Sequence, residues 1–169
     1  MDRAVNRLSR AAVLTGIGLL LAWLEHLCLP SIAVPGVKLG LANLASLLAL
    51  YALSPGEALA VSVSRVLLSG FLFGSLTSLL YALSGALLSL AGMALLQRVR
   101  AFGIVGVSAA GGCLHNAAQL AVAALMVGGG GILAYLPVLI VAGTLTGVVN
   151  GILAYMTLSR LGGALRRPA

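Results

Sequence analysis

Acidic residues are nearly absent from this chain. Asp2, Glu25 and Glu57 are the only three in 169 positions, and no aspartate-rich motif or HExxH occurs. Hard cations want several oxygen ligands gathered together. The chain therefore cannot build a magnesium–diphosphate centre alone, and no metal site, cofactor or catalytic residue is expected in it. Charge of either sign is scarce. Charged residues make up 8% and hydrophobic residues 61%, whereas soluble domains carry about 25% charged residues. That excludes a soluble domain. Only two cysteines occur, Cys28 and Cys113, without CxxC spacing. They read as small apolar fillers rather than as ligands or redox centres. Aromatic residues are at 5% beside a net charge of +7. The basic residues sit at the ends of apolar runs, not in a patch interleaved with aromatics, which excludes nucleic acid as a partner. No GxxxxGK[ST] is present, so the chain has no nucleotide site of that kind.

Long apolar runs fill the remainder. They predict an all-α fold, an integral membrane bundle of six transmembrane helices in contact with the bilayer, forming a single domain over 1–169. The expected helices cover 11–29, 39–53, 55–73, 75–97, 105–127 and 132–161, with Gly128 to Gly131 as a flexible linker. The first run also fits a signal peptide, with Ser31-Ile32-Ala33 as a small-x-small cleavage site. Its length, and Glu25 and His26 at its far end, argue against cleavage. The second run is short, at roughly 22 Å against a core of roughly 30 Å. The loop before it is expected to dip into the membrane. Ser54-Pro55-Gly56-Glu57 reads as a tight turn, with proline at the helix start and an acid in the first turn.

Arg3, Arg7, Arg10, Arg98, Arg100, Arg160, Arg166 and Arg167 fall on one side of a six-crossing topology, eight of the ten cations. Both termini are therefore expected to be cytoplasmic in the cell membrane. Lys38 lies in the 35–40 loop on the other side, where it either snorkels to the surface or binds something.

Helical rise places several polar groups in one outer-half layer. Arg65 and Gln119 fall roughly 12 Å below the outer ends of their helices. His115 is one turn deeper, on the same face as Gln119. Asn116, Asn43, Glu25 and His26 belong to the same layer. Arg65 reads as an anion site or as a structural tie to Glu25, and an intramembrane charge defaults to function. His115 reads as a substrate ligand or as a packed neutral histidine. Asn116 and Gln119 read as ligands or as interhelical glue, and Asn150 as glue. Gly143, Gly147 and Gly151, like Gly70 and Gly74, repeat at four-residue spacing and mark packing faces.

The segments Pro35-Gly36-Val37-Lys38-Leu39-Gly40-Leu41-Ala42-Asn43 and His115-Asn116-Ala117-Ala118-Gln119 are specific. Together with Arg65, Gly106-Val107-Ser108 and Tyr135-Leu136-Pro137, they resemble the Gx transporter family. That family is also described as heptaprenyl diphosphate synthase component I. It is similar in turn to the substrate-binding S components of energy-coupling factor transporters. The resemblance implies an S-component-like subunit for uptake of a small, anionic molecule. Its site would draw on Lys38, Asn43, Arg65, His115, Asn116, Gln119 and Glu25. Its partners would be a transmembrane coupling subunit and cytoplasmic ATPases, met through Ala12 and Gly16 on the first helix. Those two are only a loose version of the small-residue motif such proteins carry. The older family description implies instead an accessory subunit of polyprenyl diphosphate synthesis. A structural membrane partner of an electron-transfer complex is a third reading.

Overall fold

The computed structural model describes residues 2–28, 40–128 and 130–160. Six α-helices follow in order: α1 (Asp2–Cys28), α2 (Leu41–Ala52), α3 (Pro55–Phe73), α4 (Leu76–Leu96), α5 (Ile104–Val127) and α6 (Leu136–Arg160). A 3₁₀ turn, Gly130–Tyr135, leads into α6. No strand occurs among the described residues. Five of the helices are long and apolar enough to cross a membrane. The chain is a multi-pass, all-α membrane bundle. Its large exposed side chains include Leu20, Phe71, Leu72, Leu125 and Leu145. Lipid is the solvent that makes such a surface stable, since it asks of a helix only that its backbone be internally satisfied.

The helix ends follow local chemistry. Ser54 caps α3: its hydroxyl accepts from the Glu57 N–H and donates to the Glu57 carboxylate. The same carboxylate pairs with Arg7 of α1 at 2.6 Å, the one ion pair among the described residues. The beginnings of α1 and α3 thus share one end of the bundle, here called the Glu57 end. Ser75 and Ser78 cap α4 reciprocally. Gly128 takes φ +69° and closes α5 in the left-handed conformation, a C-cap that suits glycine. The expected glycine linker begins with this cap and ends in the 3₁₀ turn, with Gly129 outside the described residues, and α6 begins at Leu136 rather than near 132. Pro137 occupies the first turn, where its missing N–H costs nothing.

The short second helix is the centre of the fold. It packs on α1, α3 and α6, and eight of its twelve residues are buried. A helix that is apolar all round belongs inside. It runs from Leu41 to Ala52 instead of the expected 39–53, so it rises only roughly 18 Å and does not span alone. Around its Glu57-end half, Leu14, Leu47, Leu50, Val61, Leu90, Met93 and Val107 make the apolar core. Above that core the helices diverge around a cavity.

The glycine repeat on α6 lies against α5. A Cβ at Gly147 would stand 2.5 Å from the Ser108 carbonyl oxygen, and one at Gly151 would stand 2.7 Å from the Val105 Cα. Gly70 of α3 faces Leu79 of α4 in the same manner. On α1 the closely packed glycine is Gly18, which lies against the aliphatic stem of Arg65. Ala12 and Gly16 are exposed on the opposite face, and a Cβ on Gly16 would touch nothing within 4 Å.

Candidate functional site

The cavity measures about 650 Å³ and takes residues from all six helices. It reaches the Phe73 end of the bundle, where the rings of His26 and Phe73 stand 5.7 Å apart. Glu25, Asn43, Arg65, His115, Asn116 and Gln119 all line it. The sequence layer therefore converges on a single space. Lys38 lies outside the described residues.

The site is built upward from Gly40. This glycine is the N-cap of α2 and takes φ +66°, a conformation other residues enter at a cost. Its peptide is held from both sides. The Gly40 N–H donates to Glu25 Oε1 at 2.7 Å. The Gly40 carbonyl accepts from Asn150 Nδ2 at 3.0 Å and from the Asn43 N–H at 2.8 Å. Asn43 then offers its Oδ1 to Arg65 Nη2 at 3.1 Å. One chain of hydrogen bonds so joins α1, α6, α2 and α3. It anchors the start of α2 at the depth of Asn150, well inside the bundle.

Arg65 is 5% exposed. The tie to Glu25, one of the two readings of Arg65, is not made as an ion pair: the two are not within ion-pair distance, though they interact electrostatically. Glu25 Oε1 accepts instead from the Gly40 N–H, and Asn43 Oδ1 is the guanidinium's acceptor. Among the described residues Arg65 Nε, also buried, has no hydrogen-bond partner. A guanidinium carries five donors, and a buried donor left unmade is costly. The arrangement can therefore receive an acceptor, and an anion above all.

Asn116 divides its role. Its amide donates to the Leu139 carbonyl at 2.8 Å, tying α5 to α6, while the residue still faces the cavity. His115 stands over Gly85, whose missing side chain makes room for the ring. Asn150, read from sequence as glue, is both a tie and a lining residue. It is 5% exposed, and its Oδ1 has no partner among the described residues. His26, Ser89 and Ser108 also line the cavity and were not among the expected site residues. An asparagine inside an apolar run was the available signal for Asn150. Isolated serines in such runs are too common to give one. Among the described residues no cluster of three metal-ligating side chains occurs.

A family model described as heptaprenyl diphosphate synthase component I matches residues 14–157. The chain belongs to that family. The matched stretch takes in Glu25, Asn43, Arg65, the α5 polar residues and Asn150. No curated protein and no solved structure matches the chain.

Proposed function

We propose that this chain is a membrane-embedded binding subunit for uptake of a small anionic molecule. The observation that carries the reading is Arg65: a permanent cation, buried, facing a cavity, with an unused donor. The anion enters from the Phe73 end and is neutralised by Arg65, as intramembrane charges serve ligands and ion paths. His115, Asn116 and Gln119 supply hydrogen bonds, and Asn43 orients the guanidinium. Glu25 fixes the start of α2, and Lys38 supplies a second cation from the preceding loop. Energy comes from cytoplasmic ATPases through a transmembrane coupling subunit, with Ala12 and Gly16 on the open face of α1 as its contact.

Family membership favours a second reading. In it the chain is the membrane component of heptaprenyl diphosphate synthesis, acts with a catalytic partner component, and Arg65 meets a diphosphate. The two readings separate on the purified chain. An uptake subunit alone should retain a water-soluble anion, identified by mass spectrometry of what copurifies. It should leave the turnover of a synthase partner unchanged. Increased synthase turnover with no retained anion would replace the first reading by the second.

Orientation belongs to the same proposal: both termini and the Glu57 end are cytoplasmic, following the distribution of cations. In a variant lacking Cys28 and Cys113, a membrane-impermeant thiol reagent added outside should label Gly36→Cys and spare Ala101→Cys. The reverse pattern would turn the cavity mouth to the cytoplasm and exclude uptake from outside.

A further inference from the structure

Two opposite charges line the cavity without pairing. Glu25 of α1 is 8% exposed and Arg65 of α3 is 5% exposed. They attract one another, yet the one ion pair among the described residues is that of Arg7 with Glu57. Each buried charge meets a neutral group at the start of α2 instead. Glu25 Oε1 accepts the Gly40 N–H at 2.7 Å, and Arg65 Nη2 donates to Asn43 Oδ1 at 3.1 Å. The Asn43 N–H donates in turn to the Gly40 carbonyl. The first turn of α2 thus connects acid and base, which stay beyond ion-pair distance within one site.

These bonds do not saturate either group. A carboxylate has roughly four acceptor positions and a guanidinium has five donors. Arg65 Nε has no partner among the described residues. A neutral partner also leaves the charge itself uncompensated, which is costly away from water. With His26 and His115 neutral, the formal charges of the lining cancel, since Glu25 and Arg65 are its remaining ionised groups. A simple anion at Arg65 would upset that balance and stand near a second negative charge. A diphosphate would upset it further. A ligand with one charge of each sign would meet each buried charge with its opposite and leave the site neutral.

We infer that Glu25 binds a cationic group, so that the ligand is a zwitterion with its acid at Arg65 and an ammonium at Glu25. The inference rests on the reading of Arg65 as an anion site. It narrows the ligand to compounds that carry an amine as well as an acid. An N–H cation is the group that fits, because an ionised carboxylate only accepts and charge-assisted hydrogen bonds are the strong ones. Glu25 then has two tasks. Oε1 holds the Gly40 N–H, and its remaining acceptor positions receive the ligand.

The test uses hexanoate beside 2-, 4- and 6-aminohexanoate, which share its carboxylate and place an ammonium at three distances from it. Titrated into the purified parent protein, at least one amino acid should bind roughly tenfold more tightly than hexanoate, the worth of one charge-assisted hydrogen bond. In Glu25→Gln that preference should vanish while hexanoate binds at least as well as in the parent. Glutamine keeps an oxygen for the Gly40 N–H and removes only the charge. A parent that prefers none of the three to hexanoate overturns the inference, and this arm needs no variant to fold. So does a preference that survives in Glu25→Gln. Inorganic diphosphate that binds the parent more tightly than every aminohexanoate would overturn it as well. Arg65→Gln should weaken all four acids. If it weakens none of them, the anion reading fails and the inference falls with it. Hexanoate that depends on Arg65, with no preference for an ammonium, overturns the inference alone.

Discussion

Arg65→Gln should lower affinity for the retained anion by at least about 30-fold and leave the melting temperature close to the parent's. Losing one partner of a buried, hydrogen-bonded charge pair costs about 2–5 kcal/mol, and each 1.4 kcal/mol is about tenfold. The fold should survive because among the described residues Arg65 makes one hydrogen bond, to Asn43. Glutamine also removes a charge whose unpaired burial would cost at least about 2.5 kcal/mol on insertion scales. Arg65→Lys should lose about tenfold. A lysine keeps the charge but lacks the planar fork that grips an anion with two donors. The measurements are a titration with the copurifying molecule and a thermal melt in detergent, made on each variant. Unchanged affinity together with a collapsed melting temperature would make Arg65 a tie between α2 and α3. The anion-site reading would then have to be dropped.

The charged layer was legible because helical rise is nearly constant. Counting from the breakers at Gly74 and Gly128 put Arg65 and Gln119 at one depth, and both line one cavity. What Arg65 touches was not legible. That depends on the entry of α2, where the left-handed Gly40 presents its N–H to Glu25 and Asn43 presents its Oδ1 to the guanidinium. Asn150 shows the same limit over a longer range. Its bond to Gly40 joins residues 110 apart in sequence. A polar residue deep in a helix announces a partner without saying which. The size of the cavity was hidden for a different reason. Gly85 receives the His115 ring and Gly111 the Met93 side chain, so how closely α4 and α5 pack beside the cavity appears in sequence only as helices with many glycines. The short α2 was visible as a short run, but its start waits on the conformation of one glycine.

Gly147→Leu should lower the melting temperature by on the order of 10 °C, and Gly16→Leu should leave it unchanged. The two substitutions add the same side chain to two glycines of membrane helices, so hydrophobicity and helix propensity change alike. Their surroundings differ. At Gly147 the new Cβ would stand 2.5 Å from the Ser108 carbonyl oxygen and 2.7 Å from the Ala109 Cα. These are backbone atoms of α5 and cannot rotate away. Helix α6 must retreat, and association of membrane helices depends on close van der Waals contact rather than on a hydrophobic drive. Overpacking alone costs about 1–3 kcal/mol, and backbone separation along the glycine stripe adds to it. For a chain of this size about 3 kcal/mol corresponds to a shift of on the order of 10 °C. At Gly16 a Cβ meets nothing within 4 Å, and the leucine would project into lipid. Thermal melts of both variants in one detergent check the pair. Equal melting temperatures for Gly147→Leu and the parent would mean that α5 and α6 do not meet along the Gly143–Gly147–Gly151 stripe. A loss of stability in Gly16→Leu would mean that this face of α1 is packed in the purified protein, against a second copy or a partner.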